Sequence, residues 1–288
     1  MLVLLDTDIG SDVDDAIALA YLLGRSDCEL VGITTVSGDV QKRAALAEFI
    51  CQAAGISALP IVAGASLSLT QENRQPAVPQ YEWMGAAMGS ASQAKTGAVD
   101  FLREAISRRP GEITLLTIGP LTNAAALFAA YPDTAGKLRS LVSMAGYFFA
   151  EEPRTEWNVR VDPVAAAIVF SSPVPVHHVI GLDVTLRCRV EGDAAVGLIG
   201  QTRFDAVSRL VRRAAELHGS VTLHDPLAAM AMFEADILGW QDGSVQIDLS
   251  TDNEGQSVLH KSGEPTWAMV ANDVNVQAVM NEVHLRLG

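Results

Sequence analysis

Asp6, Asp8, Asp12, Asp14 and Asp15 lie within ten residues, between the apolar run 1–5 and the apolar run 16–23. The first run is short, lacks alternation and ends in a turn signal, so it reads as a strand buried on both faces of a parallel sheet. The second reads as a helix, with Asp12 at its N-cap, Asp14 and Asp15 favouring its dipole, and Gly24 ending it. Capping accounts for one or two of the acids. Carboxylates crowded at a strand's C-terminal end repel one another unless protons or a cation neutralise them, and in open α/β sheets that edge is where ligands bind. The stretch is therefore read as a metal site of oxygen donors, suited to Ca²⁺ or Mg²⁺ rather than a softer metal. The competing reading is an acidic, solvated helix start.

The rest of the chain supplies a frame for such a site. Strands are expected at 29–36, 59–63, 112–118, 138–144 and 174–180, and helices at 41–54, 98–109, 122–130 and 164–170. This alternation predicts βαβ units, a mostly parallel central sheet with helices on both faces and a metal site at the C-terminal strand edge. Asp162-Pro163 and Asp225-Pro226 each read as an N-cap followed by a first-turn proline, the second leading a helix over 227–235. Thr122-Asn123 reads as a cap after Gly119-Pro120, where a free carbonyl could serve a hard cation. Residues 64–97 lack periodicity and read as a functional loop or lid carrying Tyr81 and Trp83. Residues 191–219 read as helical, 245–249 and 266–270 as late strands or a hairpin, and 274–287 as a terminal helix. His177 and His178 read as core or edge residues, and Asp183 as a structural acid at a strand end. His224 adjoins an acid at a helix start, where a dipole and a cation would lower its pKa.

Composition limits what partners are expected. The chain has 288 residues, a net charge of −14 and a 49% hydrophobic content, which argues for a folded core and against a nucleic-acid polymer as partner. Cys28, Cys51 and Cys188 are odd in number and sit in apolar segments, so buried free thiols are expected. No run is long enough to span a membrane, and strand-forming residues start at once, without a basic leader. The expectation is one cytoplasmic domain over 1–288, with no repeat or linker.

Taken in order, Asp6-Thr7-Asp8-Ile9-Gly10 with Asp14-Asp15, Ile33 to Gly38, Ile118-Gly119-Pro120-Leu121-Thr122-Asn123, Met144-Ala145-Gly146, Glu156-Trp157-Asn158 with Asp162-Pro163, and His224-Asp225-Pro226 resemble the inosine-uridine-preferring nucleoside hydrolase family over nearly the whole chain. The resemblance implies a Rossmann-like nucleoside hydrolase fold, Ca²⁺ as cofactor, a small-molecule ribonucleoside as substrate, a place in purine or pyrimidine salvage, and a homo-oligomer, dimer or tetramer. It implies that Asp8, Asp15, the Ile118 carbonyl and Asp225 bind the metal, with Asp8 as general base for a Ca²⁺-bound water. Asp14, Glu156 and Asn158 would hold the ribose hydroxyls, Met144 would line the sugar pocket, and Asp39 stands where many members carry an Asn that contacts ribose or metal. Between Gly10 and Asp14 the chain carries Ser11-Asp12-Val13, two residues more than the commonest form, so Asp12 is an alternative to Asp14. The histidine that purine-preferring members place after the third strand is missing, with Tyr81 and Trp83 in that neighbourhood, so leaving-group protonation falls to His224.

The residue types suit that chemistry in their own right. Breaking a ribosyl C–N bond passes through an oxocarbenium-like state that carboxylates stabilise, and hydroxyl-binding groups reject sugars lacking the hydroxyls. Two alternatives remain. One is a Mg²⁺-dependent phosphohydrolase built on Asp6 and Asp8, whose usual pattern Gly10 departs from. The other is a noncatalytic ribosyl-ligand binder that retains the metal site.

Overall fold

A computed structural model describes residues 1–88, 93–150, 154–200, 204–261 and 268–288. Thr266, Trp267 and the loop acids Glu151 and Glu152 lie outside the described residues. The described strands are β1 (Leu2–Thr7), β2 (Glu29–Thr35), β3 (Ile61–Ala63), β4 (Lys95–Thr96), β5 (Ile113–Thr117), β6 (Ser140–Met144), β7 (His177–Ile180), β8 (Arg189–Glu191), β9 (Ser220–Thr222), β10 (Leu238–Ile247), β11 (Ser257–His260) and β12 (Ala268–Val274). The helices are α1 (Asp14–Leu23), α2 (Val40–Ala53), α3 (Pro79–Met84), α4 (Ala98–Arg108), α5 (Thr122–Ala130), α6 (Trp157–Val161), α7 (Pro163–Phe170), α8 (Leu182–Thr185), α9 (Gly192–Leu198), α10 (Asp205–His218), α11 (His224–Ala231) and α12 (Val276–Leu287).

Ten of these strands form one sheet in the order β11-β10-β12-β7-β6-β5-β1-β2-β3-β4. From β12 through β4 every pair is parallel, and only β10 runs antiparallel to its two neighbours. β1 sits centrally, with Leu5 opposite Ile33 on one side and Leu116 on the other. Its side chains alternate between two cores, as a strand's period of two requires. Val3 and Leu5 join a core with α1, α2, α10, α11 and α12, whereas Leu4 joins one with α4, α5 and α7. Helices thus cover both faces, as the continuous apolar strands predict.

Several elements differ from the sequence reading. The hairpin is β10 with β11, whereas β12 lies antiparallel to the first half of β10 and parallel to β7. Residues Arg189–Glu191 pair with Ser220–Thr222 as a two-stranded ribbon bracketing the helical stretch. Asp12 is not the N-cap of α1. Val13 holds that position, and Asp12 instead accepts from the Val13 amide at 2.7 Å. Asp225 is not a cap either, because α11 begins one residue earlier, and its carboxylate faces the cavity described below. Thr122 is the first residue of α5, and its hydroxyl donates to Asp162 at 2.7 Å. Asp162 does cap α7, accepting from the Ala165 amide at 3.0 Å with Pro163 in the first turn. Cys51 and Cys188 are buried and free, and Cys28 is free but only half-buried.

Candidate active site

The C-terminal ends of β1, β5 and β6 open onto a cavity of about 760 Å³. Asp8, Ile118 and Met144 enter its wall from those strand ends, and Asp14, Asp15 and Asp225 enter from the first turns of α1 and α11. The carboxylate oxygens of Asp14, Asp15 and Asp225 can all lie within 4.8 Å of one another, and all three residues are buried. Neighbours fix their orientation. The Thr7 hydroxyl donates to Asp15, and the Asp225 amide donates to Asp14 at 3.2 Å. Asp8 packs against Gly119, where a Cβ would stand 2.8 Å from the Asp8 amide nitrogen and 2.9 Å from its Oδ1. Only glycine permits that approach. Gly10 adopts φ +114°, and a side chain there would collide with Val78.

Electrostatics shows what this arrangement demands. Burial first, then repulsion from neighbouring aspartates, pushes Asp14, Asp15 and Asp225 well above the usual carboxylate range. Burial also raises Asp8, opposed by the Arg43 guanidinium. Arg43 is completely buried on α2. Its Nε donates to the Ser37 carbonyl at 2.6 Å, and its Nη1 donates to the carbonyls of Asp8 and Ile9 and to Ser11. It is thus spent on the backbone of the loop that carries Asp8 and does not pair with a carboxylate. Without further positive charge the cluster would hold protons. The donor set, all hard oxygens crowded at one point, fits a dication such as Ca²⁺ or Mg²⁺.

Glu156 and Asn158 line the same cavity, Asn158 beside Met144 and Ile118. Glu156 caps α6, accepting from the amides of Asn158 at 2.7 Å, Val159 at 3.1 Å and Gly146 at 3.2 Å. Burial pushes its carboxyl up to about 7 against those three donors. The Asn158 amide donates to the carbonyls of Met144 at 3.0 Å and Ile118 at 3.2 Å, which leaves its Oδ1 as an acceptor toward the cavity. The Ile118 carbonyl singled out in the sequence is therefore oriented by Asn158.

Other expected residues are dispersed. His224 lines the cavity with Nδ1 2.8 Å from the Thr185 hydroxyl. Burial lowers its pKa and Asp12 opposes that, so the cause is desolvation where the sequence had pointed to a dipole and a cation. Asp39 does not line the cavity; it caps α2 through the Lys42 amide at 3.1 Å. Tyr81 and Trp83 sit on α3, Tyr81 under the Lys42 ammonium at 5.3 Å and Trp83 against the core, so Gln75, Pro76, Ala77 and Pro79 form that wall instead. Asp6 is fully buried beneath the site, accepting from Thr34 at 2.5 Å and Asn123 at 2.7 Å, and burial pushes it up to about 7. Asp183 holds the loop after β6 by accepting from the amides of Phe148 and Phe149 at 2.8 and 2.7 Å. His177 is a core residue, stacked on Phe170 with ring centroids 5.1 Å apart.

Sequence reasoning missed Arg43, Gln75, Gln80 and the ribbon wall of Arg189, Ser220 and Thr222. Arg43 left one signal, a cation set beside Ala44, Ala45 and Leu46 in a helix otherwise packed on the core. Gln80 is completely buried and its amide donates to the Asp12 carbonyl, while Gln75 donates to Ser11 at 2.8 Å.

A parallel sheet with carboxylates converging at its strand ends, on a cavity that a further carboxylate and an amide also line, defines an α/β protein with a candidate metal site in a ligand cavity. The family model for "Inosine-uridine preferring nucleoside hydrolase" matches residues 3–281, and the chain belongs to that family of ribonucleoside hydrolases. It is 27% identical to uridine nucleosidase 1 of Arabidopsis thaliana, over 99% of this chain and 92% of that protein. It is 30% identical to the non-specific ribonucleoside hydrolase RihC of Klebsiella pneumoniae, over 96% of this chain and 94% of that protein. A purine-preferring ribonucleoside hydrolase from Gardnerella vaginalis superposes with a TM-score of 0.85 at 25% identity, covering 99% of this chain and 98% of the other. An inosine-guanosine nucleoside hydrolase shares the fold, with a TM-score of 0.86 at 18% identity over 99% and 98% of the two chains.

Proposed function

We propose that this chain hydrolyses the N-glycosidic bond of ribonucleosides, with Ca²⁺ held by Asp8, Asp15, Asp225 and the Ile118 carbonyl. The observation carrying this reading is the convergence of four buried aspartates with Glu156 and Asn158 on one cavity. The Asp14 carboxylate lies within 4.8 Å of those of Asp15 and Asp225, close enough that it would help hold the cation as well as meet the sugar. When bound, Ca²⁺ would neutralise the cluster and acidify a water beside it. Asp8 takes the proton of the attacking water. Asp14, Glu156 and the Asn158 Oδ1 accept hydrogen bonds from ribose hydroxyls, fixing the sugar so that C1′ meets the water. The Glu156 carboxylate and its aspartate neighbours stabilise positive charge on the ring as the base departs. His224 donates a proton to the leaving base, with Thr185 setting the ring and Asp12 favouring its charged form. The products are free base and ribose.

The phosphohydrolase alternative would need Asp6 as nucleophile, yet Asp6 lies under the sheet edge with Thr34 and Asn123 as partners and does not line the cavity. Among the described residues no helix is long and apolar enough to cross a membrane. A cytoplasmic homo-oligomer acting in nucleoside salvage completes the reading. The test is ribose release from purine, pyrimidine and nitrophenyl ribosides before chelation, after prolonged chelation and after Ca²⁺ add-back. Release should vanish on chelation and return with Ca²⁺. No release from any riboside by Ca²⁺-loaded protein would overturn the proposal.

A further inference from the structure

A second, open-sided cavity of about 600 Å³ is lined by Arg74, Arg154, Thr155, Arg160 and Glu254. Its lining residues neighbour those of the first along the chain. Arg74 adjoins Gln75, Thr155 adjoins Glu156, and Arg160 follows Asn158 by two positions, and each of those neighbours lines the carboxylate cavity. Three guanidinium groups on one cavity run against the chain's net charge of −14.

Arg74 is committed. It pairs with Glu72, donates to the Arg160 carbonyl at 2.6 Å and reaches Glu254 only at 3.5 Å. Arg154 and Arg160 are exposed, and among the described residues neither side chain forms an ion pair. Glu72 and Glu254 both stand against Arg74, so the three arginines exceed the two glutamates by one positive charge. Thr155 donates its hydroxyl to the Glu254 carbonyl at 3.3 Å, which fixes the floor between them. Planar guanidinium groups match phosphate oxygens two at a time, and a concave setting focuses the positive potential onto a small anion.

We propose that this cavity binds a phosphate group between Arg154 and Arg160, with Arg74 behind them. The phosphate is either inorganic phosphate or the 5′-phosphate of a ribosyl ligand whose sugar occupies the neighbouring cavity. Only the second source rests on the proposed ribonucleoside chemistry.

Calorimetric titration of the full-length, Ca²⁺-loaded protein with inorganic phosphate and with ribose 5-phosphate, at low ionic strength, tests this. Saturable binding is expected, weakened about tenfold or more in the Arg154→Ala/Arg160→Ala double variant, with each single variant losing part of it. Equal affinity for both probes identifies free phosphate as the ligand. Tighter binding of ribose 5-phosphate, reduced by Glu156→Gln as well as by the arginine variants, identifies the ribosyl-borne group. The readout is heat, so it stands whether or not ribose release is ever observed. No saturable binding of either probe, or unchanged binding in a double variant that melts like the native protein, would overturn the proposal.

Discussion

The two walls of the carboxylate cavity are built differently. On one side, Asp8, Ile118 and Met144 leave the ends of β1, β5 and β6, whose ladders fix each to its neighbour. On the other, Gln75, Pro76, Ala77 and Pro79 come from a loop and a short helix, and Arg189, Ser220 and Thr222 from a two-stranded ribbon outside the main sheet. The sheet wall carries the groups that must be placed to a fraction of an ångström. The loop wall carries none of the four buried aspartates, and under the proposed function it sets the choice of base.

The largest effect is expected on the sheet wall. Asp8→Asn should cut ribose release about 10³-fold or more at unchanged fold, because it removes the proton acceptor and weakens the cation site. Near-native turnover, measured beside a thermal melt, would dissolve the distinction between the walls. Asp6, up at about 7, Glu156, up at about 7, and Asp14, Asp15 and Asp225, pushed well above the usual carboxylate range, all favour their protonated forms in the folded, metal-free protein. The contribution of Asp6 and Glu156 to stability is complete below the ordinary carboxylate pKa and is lost as pH rises through about 7, and that of the three aspartates falls in the same direction. Chelated protein should therefore melt at a higher temperature at pH 5 than at pH 8, and Ca²⁺ should recover most of the loss at pH 8. A flat profile with chelator would show that the cluster tolerates its charge without a cation.

His224 lines the cavity from the start of α11 and should give an intermediate, substrate-dependent effect. His224→Ala should cost about 10²-fold on natural nucleosides and much less on nitrophenyl ribosides, whose leaving group needs no proton. Equal losses would remove it as the acid. Tyr81→Ala should do least, changing kcat/KM less than about tenfold, since Tyr81 lies under Lys42 and off the cavity. A larger loss would mean that α3 closes over bound substrate.

The same contrast explains what was legible in the sequence. The acids at 8, 14 and 15 could be read because a short apolar strand and the helix after it leave few places for the residues between them, whereas Ile118 and Asp225 were assigned as ligands through the family resemblance. Asp39 was misplaced because a residue suited to capping and one suited to ligand binding look alike in a sequence, and here the α2 amides take the carboxylate. Arg43 was invisible for the opposite reason. Besides the nearby Ser37 carbonyl, its partners are the carbonyls of Asp8 and Ile9 and the Ser11 hydroxyl, 32 to 35 positions away, which no local pattern announces. The ribbon of β8 and β9 has three residues per strand, too few for periodicity, and in β10 the residues Gly239, Asp242 and Gly243 read as turn formers although the strand continues through them beside β12.

The most direct measurement is metal content against activity in one preparation. Elemental analysis of native protein, of chelated protein, and of chelated protein titrated with Ca²⁺ should show ribose release rising in proportion to bound Ca²⁺ and saturating at one ion per chain, with Asp15→Asn neither retaining the ion nor releasing ribose. Full ribose release from protein free of any divalent ion would contradict the account.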